Sequence, residues 1–267
     1  MNSDRYSRQS FLGADSQDLI SKCTIAVVGL GGGGSHVVQQ LAHIGFQRYV
    51  IYDYDVVEES NLNRLVGATL SDSLAETPKL HLAKMTIFGL QREARVRGFS
   101  CKWQENPEPL RECQIVIGCV DSYKARQELE IACRRYLIHY IDIGMDVHSK
   151  DQLVIGGQVI LSSPSSLCMK CMGFLTDETL AREAAQYGNA GERPQVVWPN
   201  GVLASTAVGL AVDLVTNWTR SDRLHAWLVY NGNENTVKES HTLRNRQTTS
   251  CPHFSDADVG DPVLREL

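Results

Sequence analysis

The chain has 267 residues, 43% of them hydrophobic and 21% charged, with a formal net charge of −5. That balance is globular and excludes intrinsic disorder, and the acidic surplus argues against nucleic acid as a default partner. No apolar run approaches the roughly 20 residues of a bilayer span, and Met1 to Gln9 is polar rather than signal-like, so a cytoplasmic protein without a membrane partner is expected.

Thr24–Val28 is a β-branched apolar run that predicts a buried strand, and the cluster Gly29-Leu30-Gly31-Gly32-Gly33-Gly34 follows it. Residues 35–44 read as a helix stopped by Gly45, and 49–52 as a second strand with Asp53 at its carboxyl end. Residues 55–77 are polar and irregular, with a short helix predicted near 61–66. Pro78 can open a helix that runs to about Arg95. Residues 115–120 predict a strand ending at Asp121, 122–136 a helix, and 137–143 the next strand. This alternation predicts an α/β fold, a Rossmann-like, doubly wound and mainly parallel sheet. Residues 152–161 alternate and read as an added antiparallel strand. Residues 177–194 read as a mobile crossing loop within a crossover of about 172–199. An apolar stretch over 200–218 predicts a buried helix, and 226–231 with 236–240 a late hairpin. With no repeat or clean linker, residues 1–267 read as one continuous domain, with an N-terminal arm over 1–22.

Gly29-x-Gly31-x-x-Gly34 stands between a strand and a helix. Glycines there let phosphate approach the backbone, and the N–H groups that open the helix meet negative charge. An acid about 20 residues further on suits ribose hydroxyls, and Asp53 fits. These features serve NAD and ATP alike. The stretch after Asp53 separates the two. A triphosphate under attack needs cations, whereas a dinucleotide needs no cluster of them. Arg64 and Lys79 are suitable cations, and Asp121 ends the next strand at the same sheet edge, where a carboxylate suits Mg²⁺.

Four segments carry a family resemblance. Arg5-Tyr6-Ser7-Arg8-Gln9, Gly29 to Ser35, Asp53 to Arg64 and Cys119-Val120-Asp121-Ser122 resemble the signatures R-Y-x-R-Q, G-x-G-G-x-G-S, D-x-D-x-V-x-x-S-N-L-x-R and C-x-D-N of the ThiF/MoeB/HesA family. That family includes the adenylylation domains of ubiquitin-activating enzymes. The resemblance implies an adenylyltransferase that binds ATP and Mg²⁺ and activates the C-terminal glycine of a small ubiquitin-like or sulfur-carrier protein. It implies that Gly29, Gly31, Gly32 and Gly34 cradle the nucleotide, that Asp53 binds ribose, and that Asp55 stands among the nucleotide contacts. Asn61, Arg64 and Lys79 would contact phosphates, and Asp121 would hold Mg²⁺. Arg8 would reach the nucleotide of the partner subunit in a homodimer. The catalytic set is then Arg8, Arg64, Lys79 and Asp121.

The resemblance extends to the cysteines. Cys168-Met169-Lys170-Cys171 resembles the first half of the family's structural zinc site, and Cys251-Pro252-His253-Phe254 stands where a second C-x-x-C is usual. His253 could replace the missing cysteine, since three thiolates with one imidazole are an ordinary Zn²⁺ set; the alternative is a degenerate site without metal. No cysteine lies between Cys171 and Cys251, where many activating enzymes carry a nucleophile. Two routes stay open: the chain passes its acyl-adenylate to an external thiol or amine, or one of Cys23, Cys101, Cys113, Cys119 and Cys133 serves. Other functions fit parts of the sequence. An NAD-dependent oxidoreductase rests on the glycine loop and Asp53 alone, and a non-catalytic scaffold subunit on the fold alone. A family branch acting on tRNA-linked carboxylates is disfavoured by the acidic charge and the C-x-x-C pair.

Overall fold

A computed structural model describes residues 5–149, 153–185, 194–246 and 250–254. Strands β1 (Thr24–Val28), β2 (Arg48–Tyr52), β3 (Arg95–Phe99), β4 (Ile115–Gly118) and β5 (His139–Ser149) pair in parallel. β6 (Leu153–Ser162), β7 (His225–Asn231) and β8 (Thr236–Glu239) extend the sheet antiparallel. The spatial order is β3-β2-β1-β4-β5-β6-β7-β8. The strand order reverses between the parallel neighbours β1 and β4, which leaves a crevice outside their carboxyl ends, where open α/β sheets bind ligands.

The helices are α1 (Ser16–Lys22), α2 (Gly32–Ile44), α3 (Leu70–Leu74), α4 (Lys79–Leu90), α5 (Tyr123–Arg135), α6 (Met169–Met172), α7 (Asp177–Ala185), α8 (Val197–Thr216) and α9 (His241–Arg244). Alternate residues of each central strand feed opposite cores. Ile25, Val27, Ile51, Ile117 and Ile141 pack with α2, α4 and α8. Ala26, Val28, Val50, Val116 and Tyr140 pack with α5 and the Cys168–Cys171 region. Both faces are covered, so these strands are apolar throughout rather than alternating.

Several spans differ from the sequence expectation. α2 begins three residues earlier, inside the glycine cluster. The helix expected to run to Arg95 stops at Leu90, and Arg95–Phe99 is the edge strand β3. Its Arg-Val-Arg start masks the strand signal, because charge is how an edge avoids further pairing. Around Asn61 the chain makes only a single 3₁₀ turn, Glu59–Asn61. Residues 177–185 form helix α7 rather than a loop, and 186–193 of the expected crossing loop lie outside the described residues. α8 is long and apolar enough, by length and composition, to cross a bilayer, which the sequence reading passed over. Half of that stretch is buried inside the fold, packed against α1, α2, β5 and β6.

The N-terminal arm is tied down. Gln91 donates from Nε2 to the Tyr6 hydroxyl and to the Ala42 carbonyl, each at 2.7 Å. Gln9 donates from Nε2 to the Ile44 carbonyl at 2.8 Å. Tyr6 and Gln9 therefore clamp the carboxyl end of α2, while Arg8 between them faces solvent.

Candidate nucleotide and metal sites

β1 ends at Gly29, whose φ is +89°. A Cβ there would lie 2.6 Å from the Cys119 carbonyl oxygen, and one at Gly34 would run into the Gly29 carbonyl. The glycines are thus required by close backbone approach, between the loop's own two ends and between the loop and the turn after β4. Gly29→Ala is expected to destabilise the fold by about 1–3 kcal/mol, read as a lower urea midpoint at unchanged slope. A wild-type midpoint would show that the turn relaxes freely.

Asp53 is the electrostatic centre of the loop. It is 8% exposed. Its Oδ2 accepts the Leu30 N–H at 2.6 Å and its Oδ1 accepts the Asp55 N–H at 2.8 Å. Burial raises its carboxyl above the ordinary range, opposed by those two N–H groups and by Lys79. Lys79 lies 2.9 Å from Asp55 Oδ2. The pair is fixed from below, because Lys79 N–H bonds the Asp55 carbonyl at 3.0 Å. Asp53, Asp55 and Lys79 are thereby locked to the glycine loop.

Arg64 lies against the same loop, its Cδ 3.4 Å from where a Cβ on Gly32 would stand. Its Nη1 donates to the Ser60 carbonyl at 2.6 Å and to Asn63 Oδ1 at 3.0 Å. Asn61 is buried and caps its own 3₁₀ turn, accepting the Glu58 N–H at 3.3 Å. Asp121 is exposed, two residues past the Cys119 carbonyl that abuts Gly29. The amino end of α2 has no side-chain cap, so its first N–H groups suit an anion. Arg8 lies away from the glycine loop. It sits by the far end of α2, about 18 Å along the 13-residue helix from its own glycine loop.

The metal expectation has a built cluster. The ligand atoms of Cys168, Cys171, Cys251 and His253 all lie within 4.8 Å of one another. His253 Nδ1 is 3.4 Å from Cys168 Sγ and 3.2 Å from Cys171 Sγ. Cys168 Sγ also accepts the Cys171 N–H at 3.4 Å, the knuckle that a C-x-x-C forms at a helix start. Burial raises the Cys168 thiol. Burial also raises Cys251, but the His253 backbone N–H and the neighbouring thiols outweigh it and leave Cys251 below its ordinary value. Four soft and imidazole donors converging from two chain segments fit a tetrahedral Zn²⁺.

A family model described as the ThiF family matches residues 4–253. The chain belongs to the ThiF family. Ubiquitin-like modifier-activating enzyme 5 of Arabidopsis thaliana is 29% identical over 191 residues, covering 63% of this chain and 43% of the relative. Its counterpart in Oryza sativa subsp. japonica is 30% identical over 192 residues, covering 63% and 44%. The chain thus spans less than half the length of these curated relatives. Among solved structures, E. coli MccB with ATP superposes with a TM-score of 0.73 at 18% identity, covering 95% of this chain and 74% of that one. The microcin C7 biosynthetic enzyme MccB in complex with N-formylated MccA gives 0.75 at 19% identity, covering 95% and 75%. These two share the ThiF fold.

Three features of this ThiF chain escaped the sequence reading. Asn200, read only as packing, places its side chain in the space a Cβ on Gly32 would fill, and it donates to the Val196 carbonyl at 3.0 Å. Glu183 of α7 accepts the Tyr123 and Lys124 N–H groups at 3.0 Å each, fastening α7 to the start of α5 beside Asp121. Arg126 and Asp142 form a buried ion pair beneath the same edge. A lone Asp inside the apolar run Tyr140-Ile141-Asp142-Ile143 was the available signal, since a buried acid needs a partner.

The remaining cysteines are poor nucleophiles. Burial pushes the Cys23 and Cys113 thiols up to about 12 and raises Cys119 and Cys133 well beyond the ordinary thiol range. Cys101 is also raised, by burial and by Glu105. The thiolate is the reacting form, and each of these shifts is toward the thiol.

Proposed function

We propose that this chain uses ATP to adenylylate the C-terminal glycine carboxylate of a small ubiquitin-like or sulfur-carrier protein. The observation that carries the reading is the convergence of Asp53, Lys79 and Arg64 on one uncapped glycine loop. In the proposed reaction the partner's carboxylate oxygen attacks the α-phosphorus, the bond to the bridging oxygen breaks, and pyrophosphate leaves as the acyl-adenylate forms. Gly29, Gly31, Gly32 and Gly34 bring backbone N–H groups to the phosphates, Asp53 holds the ribose, and Arg64, Lys79 and Asn61 hold the leaving pyrophosphate. Asp121 would hold Mg²⁺, which when bound would neutralise phosphate charge. Catalysis is then positioning and charge stabilisation. The product passes to a thiol or amine outside this chain.

Arg8 acts in trans in this reading. Its exposure, and its place at the opposite end of α2, support a homodimer in which it serves the partner's nucleotide. The Cys₃His cluster takes a structural Zn²⁺. The eight free cysteines suit a reducing, cytoplasmic setting.

Calorimetric titration tests the nucleotide class. The Mg²⁺ complex of AMPCPP, an uncleavable ATP analogue, should bind in the micromolar to millimolar range common for substrates, and NAD⁺ should give no heat. The reverse result would establish the dinucleotide reading instead.

A further inference from the structure

A charged pair lies under the Asp121 edge outside the nucleotide contacts described above. Arg126 stands in the first turn of α5, with 7% of its side chain exposed. Its Nε is 3.2 Å from Oδ1 of Asp142, which is fully buried on β5. The same oxygen accepts the Tyr140 hydroxyl at 3.0 Å. The guanidinium's Nη2 donates to the Val120 carbonyl at 2.9 Å. The rings of Tyr123 and Phe174 flank it, with centroids 5.6 and 6.0 Å away.

A buried ion pair is weak ground for stability, because well-packed apolar groups often do as well. The geometry here gives the charges a second use. Asp142 is in register with Gly118, the last residue of β4, so a rigid sheet fixes the acid. The acid holds the guanidinium by charge, with Nε 3.2 Å from Oδ1. The guanidinium fixes the Val120 carbonyl, which shares one planar peptide unit with the Asp121 nitrogen. Only a planar fork reaches the acid and the carbonyl together, and a lysine ammonium on its single flexible stem does not.

We propose that Arg126, anchored by Asp142, is a positioning residue that sets the Asp121 carboxylate for the metal–nucleotide complex. This rests on the reading that ATP binds at this edge. The probe is Mn²⁺ with AMPCPP, followed by electron paramagnetic resonance on the full chain. Arg126→Lys keeps a positive charge beside Asp142, and the paired change of Arg126→Gln with Asp142→Asn removes both charges at once. Each should weaken Mn²⁺ binding in the nucleotide complex about 10–100-fold, the usual cost of losing a group that orients a metal ligand. AMPCPP affinity without a divalent ion should not change, because binding couplings are reciprocal. Near-ultraviolet circular dichroism confirms folding, and if the lysine variant unfolds, the paired variant decides. Wild-type Mn²⁺ affinity in a folded variant overturns the proposal. A wild-type chain that shows no nucleotide-dependent Mn²⁺ site overturns the ATP reading, and this proposal with it.

Discussion

Asp121→Ala is expected to abolish ATP–pyrophosphate exchange that depends on the cognate partner protein, with a loss of about 10³-fold, the upper end of what one preorganised electrostatic group supplies. The reason is charge. Two like unit charges 4 Å apart repel by about 4 kcal/mol at the effective dielectric near a protein surface. An attacking carboxylate meets several such charges on the triphosphate. Arg64 and Lys79 answer part of this, but both are committed in the free protein, Arg64 to the Ser60 carbonyl and Lys79 to Asp55. A divalent ion held by Asp121 would be the largest remaining source of positive charge. Because Asp121 is exposed, its replacement should leave thermal stability within about 0.5 kcal/mol of wild type. Lost exchange at retained stability supports the assignment, and undiminished exchange rejects it. Arg64→Ala should lose less, because Lys79 remains at the same edge.

The parts of this architecture that the sequence made legible are those whose cause is local. Thr24–Val28 followed by glycines and a helix stop at Gly45 describes one βα unit from neighbours in the chain alone. The Cys168 and Cys251 pairs are legible for the same reason, since each half of the cluster is a short motif. What was not legible depends on partners far away in sequence. Asn200 matters because Gly32 lies beneath it, 168 positions earlier, and nothing near Asn200 reveals that contact. Arg126 looks like an ordinary polar face of α5 until β5 places Asp142 beside it. α7 read as a loop because its charged run has no clear apolar stripe, yet Glu183 gains its partners from the start of α5. β3 was lost to the charge that protects an edge. Tertiary context overrode propensity in each case.

Cys171→Ser should lower the melting temperature by about 10 °C and remove bound metal. Protein prepared without added metal should carry close to one zinc per chain by elemental analysis. Structural Zn²⁺ contributes about 10–16 kcal/mol in zinc-finger peptides that have no other core. This chain has one, so the share at stake is smaller, about 3–5 kcal/mol, which at 2–4 °C per kcal/mol gives the stated shift. The loss is still large because the cluster closes the second core. Cys168, Cys171, Leu167, Met169, Met172 and Leu243 are buried together there, and Phe254, next to His253, stacks on the Arg134 guanidinium with its ring centroid 4.9 Å away. Residues 251–254 meet that core through this stack, the packing of Cys251 and Phe254, and the thiol–imidazole contacts, and a metal would tie them to it directly. The pH dependence has a definite sign. Metal binding requires thiolates, and burial raises the Cys168 thiol above its ordinary value. Acidification therefore favours the protonated, metal-free cluster, and the metal's stabilisation should be present at neutral pH and lost as pH falls. A zinc content near zero, with Cys171→Ser melting at the wild-type temperature, would mean that packing alone closes this core.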